Sequence, residues 1–166
     1  MANFELETTE WSIATDKLIA KLYDYKPVSC PLVHRFVPGM YIREIFMPAG
    51  SLVVSKVHGT EHPYVVSQGV LTVWTEEEGE VFIEAPYTGI TLPGTRRVLY
   101  IHEDCIFTTF HPAHEQPANN TEEEILKAVA AIENRILIPH VNEYLEEIIA
   151  LKQIENGVIP ASANIS

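Results

Sequence analysis

Two histidines, His58 and His62, are the residues whose type and spacing most directly suggest chemistry. They lie four residues apart within the stretch from Gly50 to Gly69, and imidazole is the commonest metal ligand in proteins. The pattern predicts a strand that ends near His58, a tight turn, and a second strand that begins at His62, so the turn would bring the two rings together. Two imidazoles hold a metal ion poorly, so a site here requires a third ligand.

Two other side chains are predicted to lie on the same faces as these histidines. Residues two apart on a strand share a face, so Lys56 would accompany His58, and Tyr64 would accompany His62. We name Tyr64 and Lys56 as candidate catalytic residues. A buried lysine with a lowered pKa can act as a base. The order His-x-x-x-His-x-Tyr from His58 to Tyr64 resembles the metal site of cupin lyases, which implies a role for Tyr64 as ligand or base. An ammonium group cannot ligate a cation. Lys56 could instead bind an anionic substrate, or its amine could reach solvent. Tyr64 could be an aromatic residue of the core.

The part of the chain between residues 39 and 112 is predicted to be mainly β. Short apolar runs separated by turn residues are typical of a small sandwich or barrel, and no helix-length segment interrupts them, as a parallel α/β sheet would require. The predicted strands cover residues 40–47, 51–58, 63–67, 70–75, 81–85, 89–92, 97–102 and 105–111.

The segments on either side predict a three-part chain: an N-terminal arm, short helix and linker (1–38), the β domain (39–112), and a C-terminal loop, helices and tail (113–166). The first helix is predicted over 17–25, capped by Thr15 and Asp16, and is followed by an extended, proline-rich connection.

The C-terminal part is predicted to contain two helices. Residues 121–124 have capping-box spacing and open the first, and the second covers roughly 140–152 with Leu145, Ile148 and Leu151 on its apolar side. The stripe Ile125, Val129 and Ile132 on the first helix must bury against the β domain or another subunit, and we predict a homo-oligomer.

The composition argues against several classes of protein. The net charge of −12 repels phosphate backbones and anionic lipids, so neither a nucleic-acid partner nor a membrane partner is expected. Cys30 and Cys105 form no C-x-x-C pair, so a cysteine-based zinc site is not indicated. There is no apolar run of about 18 residues and no apolar N-terminal signal segment, which favours a cytoplasmic protein.

The stretch from Gly50 to Gly69 resembles the first motif of the cupin superfamily. That motif has a Gly, five residues, His-x-His, three or four residues, Glu, six residues and a final Gly. The spacing here matches throughout, with Lys56 at the first His position and His62 at the Glu position. Of the second motif, the Pro93-Gly94 turn is present without its His. Residues 34–112 also resemble small cupin-like proteins of bacteriophage genomes.

The resemblance implies a single cupin-type barrel, a double-stranded β-helix, with an N-terminal arm and short helix and two C-terminal helices. It places His58 and His62 at metal-ligand positions, and it implies a divalent transition metal such as Fe, Mn, Ni or Zn. We choose His111 as the third ligand, because the last predicted strand returns it to the place of the missing second-motif His. His102 is the alternative.

Arg97 is a candidate substrate-binding residue, since Arg96 or Arg97 could reach the barrel mouth and pair with an anionic ligand. Alternatively, both arginines pair with Glu44 or other acidic side chains at the rim.

Two functions remain open from the sequence. The first is a metal-binding barrel that acts on or binds a small molecule. The second is a non-catalytic bacteriophage structural or assembly protein that uses the barrel as a scaffold and binds other phage proteins. The first places the chain in the cytoplasm (of the host, if phage-encoded), and the second places it in the virion.

Overall fold

The structure is a computed structural model, and it describes residues 9–142 and 149–150. All strand pairs are antiparallel, and the prediction of a mainly β chain flanked by helices is confirmed. The elements in chain order are α1 (Glu10–Leu22), β1 (Leu32–Val37), β2 (Met40–Met47), β3 (Leu52–Val54), β4 (His62–Thr75), β5 (Gly79–Glu84), β6 (Tyr87–Thr91), β7 (Val98–Pro112), α2 (Glu122–Ile136), α3 (Pro139–Asn142) and β8 (Ile149–Ala150).

The two long strands, β4 and β7, organise the sheet. They pair with each other, and β7 also pairs with β2 through its second half and with β3 through its first half. In the same way, β4 pairs with β6 through its first half and with β5 through its second half. The inner face of this bent sheet buries an apolar core, which includes Ile45, Met47, Val66, Leu71, Ile101 and Phe107.

The predicted turns at residues 68–69 and 103–104 are wrong, because β4 and β7 each run straight through them. The β4–β7 register shifts between Val66 and Leu71, which marks a β-bulge. Gly69 lies in this bulge with φ of 101°, and a Cβ atom there would lie 2.5 Å from the Asp104 carbonyl oxygen. The glycine that resembled a turn residue in the sequence instead lets two strands bend past each other in close contact.

The predicted hairpin of strands 51–58 and 63–67 is also wrong. The first strand ends at Val54, and β3 pairs with β7 and β8 rather than with β4. Beyond it, the Ser55 hydroxyl accepts a hydrogen bond from the Arg97 backbone N–H at 2.9 Å. The chain then leaves the sheet before it reaches His58.

Helix α1 begins earlier than predicted, at Glu10, and its N-cap is Thr9 rather than Thr15 or Asp16. The cap is reciprocal with Ser12, a residue outside the usual Glu or Gln pattern, which explains why the sequence did not reveal it. The helix buries Leu18 and Leu22 against β3. The predicted extended connection contains β1, which pairs with β2.

Helix α2 begins as predicted, with the Thr121 hydroxyl accepting a hydrogen bond from the Glu124 backbone N–H. Its apolar stripe packs on Tyr41 of the same chain, so burial of the stripe needs no second subunit. Of the predicted second helix, residues 140–142 belong to α3 and residues 149–150 form β8 instead of helix, whereas Leu145, Ile148 and Leu151 lie outside the described residues. No helix in the described ranges is long and apolar enough to cross a membrane.

Substituting Ile132 tests whether α2 packs on the sheet as described. Ile132 is fully buried, so we expect Ile132→Ala to lower the free energy of unfolding by about 3 kcal/mol through lost burial and a residual cavity. Leu126→Ala on the exposed side of the same helix, where the side chain is 49% accessible, should cost under about 1 kcal/mol. Urea denaturation of both variants measures the difference, and equal losses would contradict this packing.

Candidate metal centre

Three histidine rings form a cluster at one end of the inner face. The ring centroids of His58 and His62 are 4.7 Å apart, those of His58 and His111 are 5.3 Å apart, and those of His62 and His111 are 4.5 Å apart. His102 lies elsewhere, with its Nε2 hydrogen-bonded to the Thr72 hydroxyl at 2.7 Å. The structure therefore brings His111 beside the histidine pair and leaves the alternative, His102, outside the cluster.

The register of the sheet positions His62 and His111. His62 begins β4 and lies on its buried face with Tyr64, and His111 lies near the end of β7, where it pairs with Tyr41 of β2. The Tyr41 ring stacks on His111 at 5.8 Å between centroids, and the Tyr41 hydroxyl is hydrogen-bonded to Nδ1 of His34 at 2.6 Å. Tyr41 is almost fully buried, so it holds the His111 ring from one side.

His58 is positioned differently, by the C-terminal end of α2. It forms an isolated antiparallel bridge with Leu137, and the adjacent Gly59 N–H donates to the Ile136 carbonyl at 2.7 Å. The His58 carbonyl in turn accepts from the Gly94 N–H at 2.8 Å. Helix α2 thus supplies the backbone contacts that a hairpin would otherwise have provided.

The hydrogen bonds of two rings indicate which nitrogens are available. Nδ1 of His62 donates to the Thr60 carbonyl at 3.1 Å, so in the neutral ring Nε2 carries a free lone pair. In His111, Nε2 is hydrogen-bonded to the Thr109 hydroxyl at 2.9 Å, whereas Nδ1 is buried without a partner. An unpartnered buried nitrogen is costly unless something binds it, so the chemistry of this donor set fits a cation.

All three rings are held neutral. Burial lowers the pKa of His58 to about 2, with the neighbouring His62 and His111 adding to the effect. Burial also lowers the pKa of His111 to about 3 and lowers the pKa of His62, although the Thr60 hydrogen bond opposes the latter shift. A metal ligand must be unprotonated, and these rings meet that condition at neutral pH.

The distances between the three rings agree with a shared metal ion, but the orientations of the rings do not. A metal–nitrogen bond is about 2.1 Å long, so two imidazoles that share an ion have centroids roughly 4.5–5 Å apart, close to the observed distances. As the rings are turned, however, no group of three or more His, Cys, Asp or Glu side chains in the described part of the chain is arranged to hold an ion. The distances between the ring centroids fit a three-histidine site, and the ring orientations do not.

Tyr64 and Arg97 lie next to the cluster and contact each other. The Arg97 guanidinium carbon is 4.9 Å from the centroid of the Tyr64 ring, which stacks on Phe107 at 4.8 Å. Burial raises the pKa of the Tyr64 hydroxyl, while the charge of Arg97 opposes the shift. Arg97 also lowers the pKa of His62, so its charge acts on the cluster directly.

Lys56 and Arg96 point to neighbouring helices. The Lys56 amine is 3.9 Å from a Glu133 carboxylate oxygen on α2. Arg96 forms an ion pair with Asp16 of α1 at 2.8 Å, and Glu44 pairs with Arg35 at 3.6 Å. Arg96 therefore pairs with an acidic side chain, as one of the two alternatives predicted, but with Asp16 rather than Glu44. The Arg97 guanidinium lies over Tyr64 instead.

Sequence reasoning missed the roles of two residues at this end of the sheet. Arg43 lies on the same face of β2 as Tyr41, and its charge lowers the pKa of His58 and of His111. Thr91 is the register partner of His62 and has a buried, unpartnered hydroxyl. Strand alternation in β2 could have revealed Arg43, since Tyr41, Arg43 and Ile45 recur at a period of two.

Comparison with solved structures finds cupin-type proteins at low similarity. A cupin-2 domain protein from Shewanella frigidimarina has a TM-score of 0.42 and 12% identity, covering 58% of this chain and 92% of its own. A double-stranded β-helix protein from Klebsiella pneumoniae has a TM-score of 0.45 and 13% identity, with coverages of 56% and 88%. A cupin family protein from Methanocaldococcus jannaschii has a TM-score of 0.41 and 11% identity, with coverages of 54% and 87%. No protein-family model and no curated protein matches the sequence. At this level of similarity the candidate site rests on its own geometry.

Proposed function

We propose that this chain is a small cupin-like protein that binds a divalent transition metal through His58, His62 and His111. The observation that carries the proposal is the clustering of three neutral imidazoles, with ring centroids 4.5–5.3 Å apart. Three imidazoles leave open coordination positions for water or a small molecule, and they suit Fe, Mn, Ni or Zn.

Residues of this chain would have separate roles around the ion. The Thr60 carbonyl fixes the tautomer of His62, and the Thr109 hydroxyl orients the His111 ring through Nε2, which are the usual roles of groups that hydrogen-bond a metal-ligating imidazole. When bound, the ion would act as a Lewis acid towards a coordinated ligand. Tyr64 is the candidate for proton transfer, and Arg97 is the candidate for binding substrate charge.

Lys56 is the weaker of the two catalytic candidates. Its amine lies towards Glu133, and that carboxylate reduces the net positive charge next to His58. An ammonium beside a cation site is unfavourable, and the pairing with α2 removes part of that cost. Lys56 therefore fits a role in holding the segment before His58 on the helix.

Metal content after reconstitution tests the proposal. Tag-free protein should retain one equivalent of Zn²⁺, Mn²⁺, Fe²⁺ or Ni²⁺ after desalting, and His58→Ala, His62→Ala or His111→Ala should each weaken binding about a hundredfold. His102→Ala is the matched control, because it removes an imidazole outside the cluster and should leave the metal content unchanged. Substoichiometric metal that is equal in all four variants would refute the proposal.

A structural role is the second candidate, and the edge of the sheet favours it. Strand β1 pairs with β2 alone among the described strands, and exposed apolar side chains lie on it and at the start of β2: Leu32, Val33, Val37 and Met40. An apolar edge of this kind suits docking of another chain, whether a second copy or a phage protein. Recovery at fixed stoichiometry in purified particles would support a virion protein, and light scattering would measure the homo-oligomer.

A further inference from the structure

Helix α1 covers only part of the outer face of the sheet. It packs on Leu52 of β3 and Val98 of β7, and Trp74 and Tyr100 are half-buried at its border. Beyond that border the same face continues across β4 to β5, where the Phe82 side chain is 64% accessible. Apolar surface therefore extends past the helix to the edge of the sheet.

The exposed Phe82 ring is held by its neighbours. His102 lies beside it with 5.8 Å between the ring centroids, and Tyr100 contacts His102 edge-on at 4.9 Å. Nε2 of His102 is hydrogen-bonded to the Thr72 hydroxyl, and Thr72 is the register partner of both Phe82 and Tyr100. An aromatic ring fixed in this way at the surface offers a preformed apolar contact to a partner.

Two carboxylates flank Phe82 on β5. Glu80 and Glu84 lie two residues before and after it, so all three side chains share the outer face, and all three are exposed. The ion pairs formed within the described part of the chain involve neither carboxylate. Negative charge on both sides of an apolar centre is complementary to an extended segment in which cationic residues lie two positions to either side of an apolar one.

Strand β5 also has a free edge. Among the described strands it pairs with β4 alone, so the backbone groups on its other edge form no ladder with them. An extended segment of another chain can add to such an edge through main-chain hydrogen bonds, with its alternate side chains against those of the strand. A second copy of β5 is unsuitable, because antiparallel pairing centred on Phe82 would place Glu80 of one copy directly opposite Glu84 of the other.

We propose that the free edge of β5 binds an extended basic segment of a partner protein by strand addition. An apolar residue of that segment lies against Phe82, and Lys or Arg residues lie against Glu80 and Glu84. The net charge of −12 favours the approach of a cationic partner. This binding goes beyond the metal site and requires no metal ion.

Fluorescence anisotropy on the full chain, at near-physiological salt, tests this with the labelled peptide Thr-Lys-Thr-Val-Thr-Lys-Thr. We expect it to bind at least about tenfold more tightly than the same peptide with Glu in place of Lys, because two attractive cross-strand pairs replace two repulsive ones.

N-methylation of alternate residues of the lysine peptide separates strand addition from simple charge attraction. In an added strand one alternate set of N–H groups bonds to the protein and the other set faces away from it. Methylating the first set should weaken binding at least about tenfold, and methylating the second should leave the affinity within about threefold.

Glu80→Gln combined with Glu84→Gln should weaken binding of the lysine peptide about fivefold. Glu122→Gln combined with Glu123→Gln is the matched control, because it removes the same charge from α2 and should leave the affinity within about twofold. All four side chains are exposed, so both variants should fold. Both should also bind metal as the unmodified chain does, so failure of this proposal is distinguishable from failure of the metal proposal.

Equal affinity for the lysine and glutamate peptides would overturn the proposal. Equal effects of the two methylated sets, or equal weakening in the two double variants, would also overturn it. Absence of peptide binding together with self-association of the chain by light scattering, lost in Phe82→Ser, would assign the edge to a second copy instead.

Discussion

Metal-free protein is expected to lose about 3 kcal/mol of unfolding free energy between pH 6.5 and pH 5, because buried histidines are protonated only after unfolding. In the folded chain the pKa of His58 is about 2 and that of His111 about 3, against 6.5 for the ordinary side chain. The excess of protons on the unfolded chain rises from about one at pH 6.5 to about two at pH 5, so stability falls as pH falls. Each histidine contributes about 1.4 kcal/mol per pH unit below 6.5.

Urea denaturation at pH 8, 7, 6 and 5 in the presence of a chelator measures how the free energy of unfolding changes per pH unit. His58→Gln and His111→Gln should each reduce this change by up to about 1.4 kcal/mol per pH unit. His34 and His62 also have lowered pKa values and would add to the effect. A stability that is constant from pH 7 to pH 5 would show that the three rings are not buried as described.

Substituting Gly69 should have an effect of similar or larger size. In Gly69→Ala the new Cβ atom would meet the backbone of Asp104 and Cys105 at 2.5 and 2.7 Å, and the φ of 101° is unfavourable for any L-residue. Backbone atoms of β7 cannot move aside without breaking the β4–β7 ladder. We expect a loss of more than about 4 kcal/mol, or failure to fold.

Gly39→Ala is the matched control for this substitution. Its φ of 84° imposes a similar conformational penalty, but a Cβ atom there would have nothing within 4 Å. We expect a cost of about 1 kcal/mol from the backbone conformation alone. Thermal or urea unfolding of both variants measures the difference, and similar stabilities would mean that β4 and β7 do not cross closely at the bulge.

The sequence allowed the local features to be predicted. Alternating apolar residues predicted β2 with its observed ends, and Thr121 with Glu124 predicted the start of α2. The spacing of His58 and His62 predicted that their rings would meet, and they do. Each of these depends on residues close together in the chain, where periodicity and capping chemistry act directly.

Predictions failed where a distant segment competes for the same backbone groups. Glycine is typical of turns, so residues 68–69 were predicted as one. The long-range pairing of β4 with β7 instead places Gly69 in a β-bulge. The segment at His58 was expected to pair with the strand at His62, but α2 supplies its backbone partners through Ile136 and Leu137. Local patterns cannot show which of two available partners a backbone N–H will bind.

By itself the sequence determined a mainly antiparallel β chain, a histidine pair and candidate residues for a third ligand and a substrate cation. The choice of His111 over His102 was made from the sequence, but only the tertiary structure gave its place beside His62, because β-strand register and not spacing along the chain decides which imidazole lies there. The tertiary structure also directed Arg96 to Asp16 and Arg97 to Tyr64, although the two arginines are adjacent in the sequence. The side chains of two adjacent residues in an extended backbone point in opposite directions. Each arginine therefore contacts whatever packs on its own side of the chain.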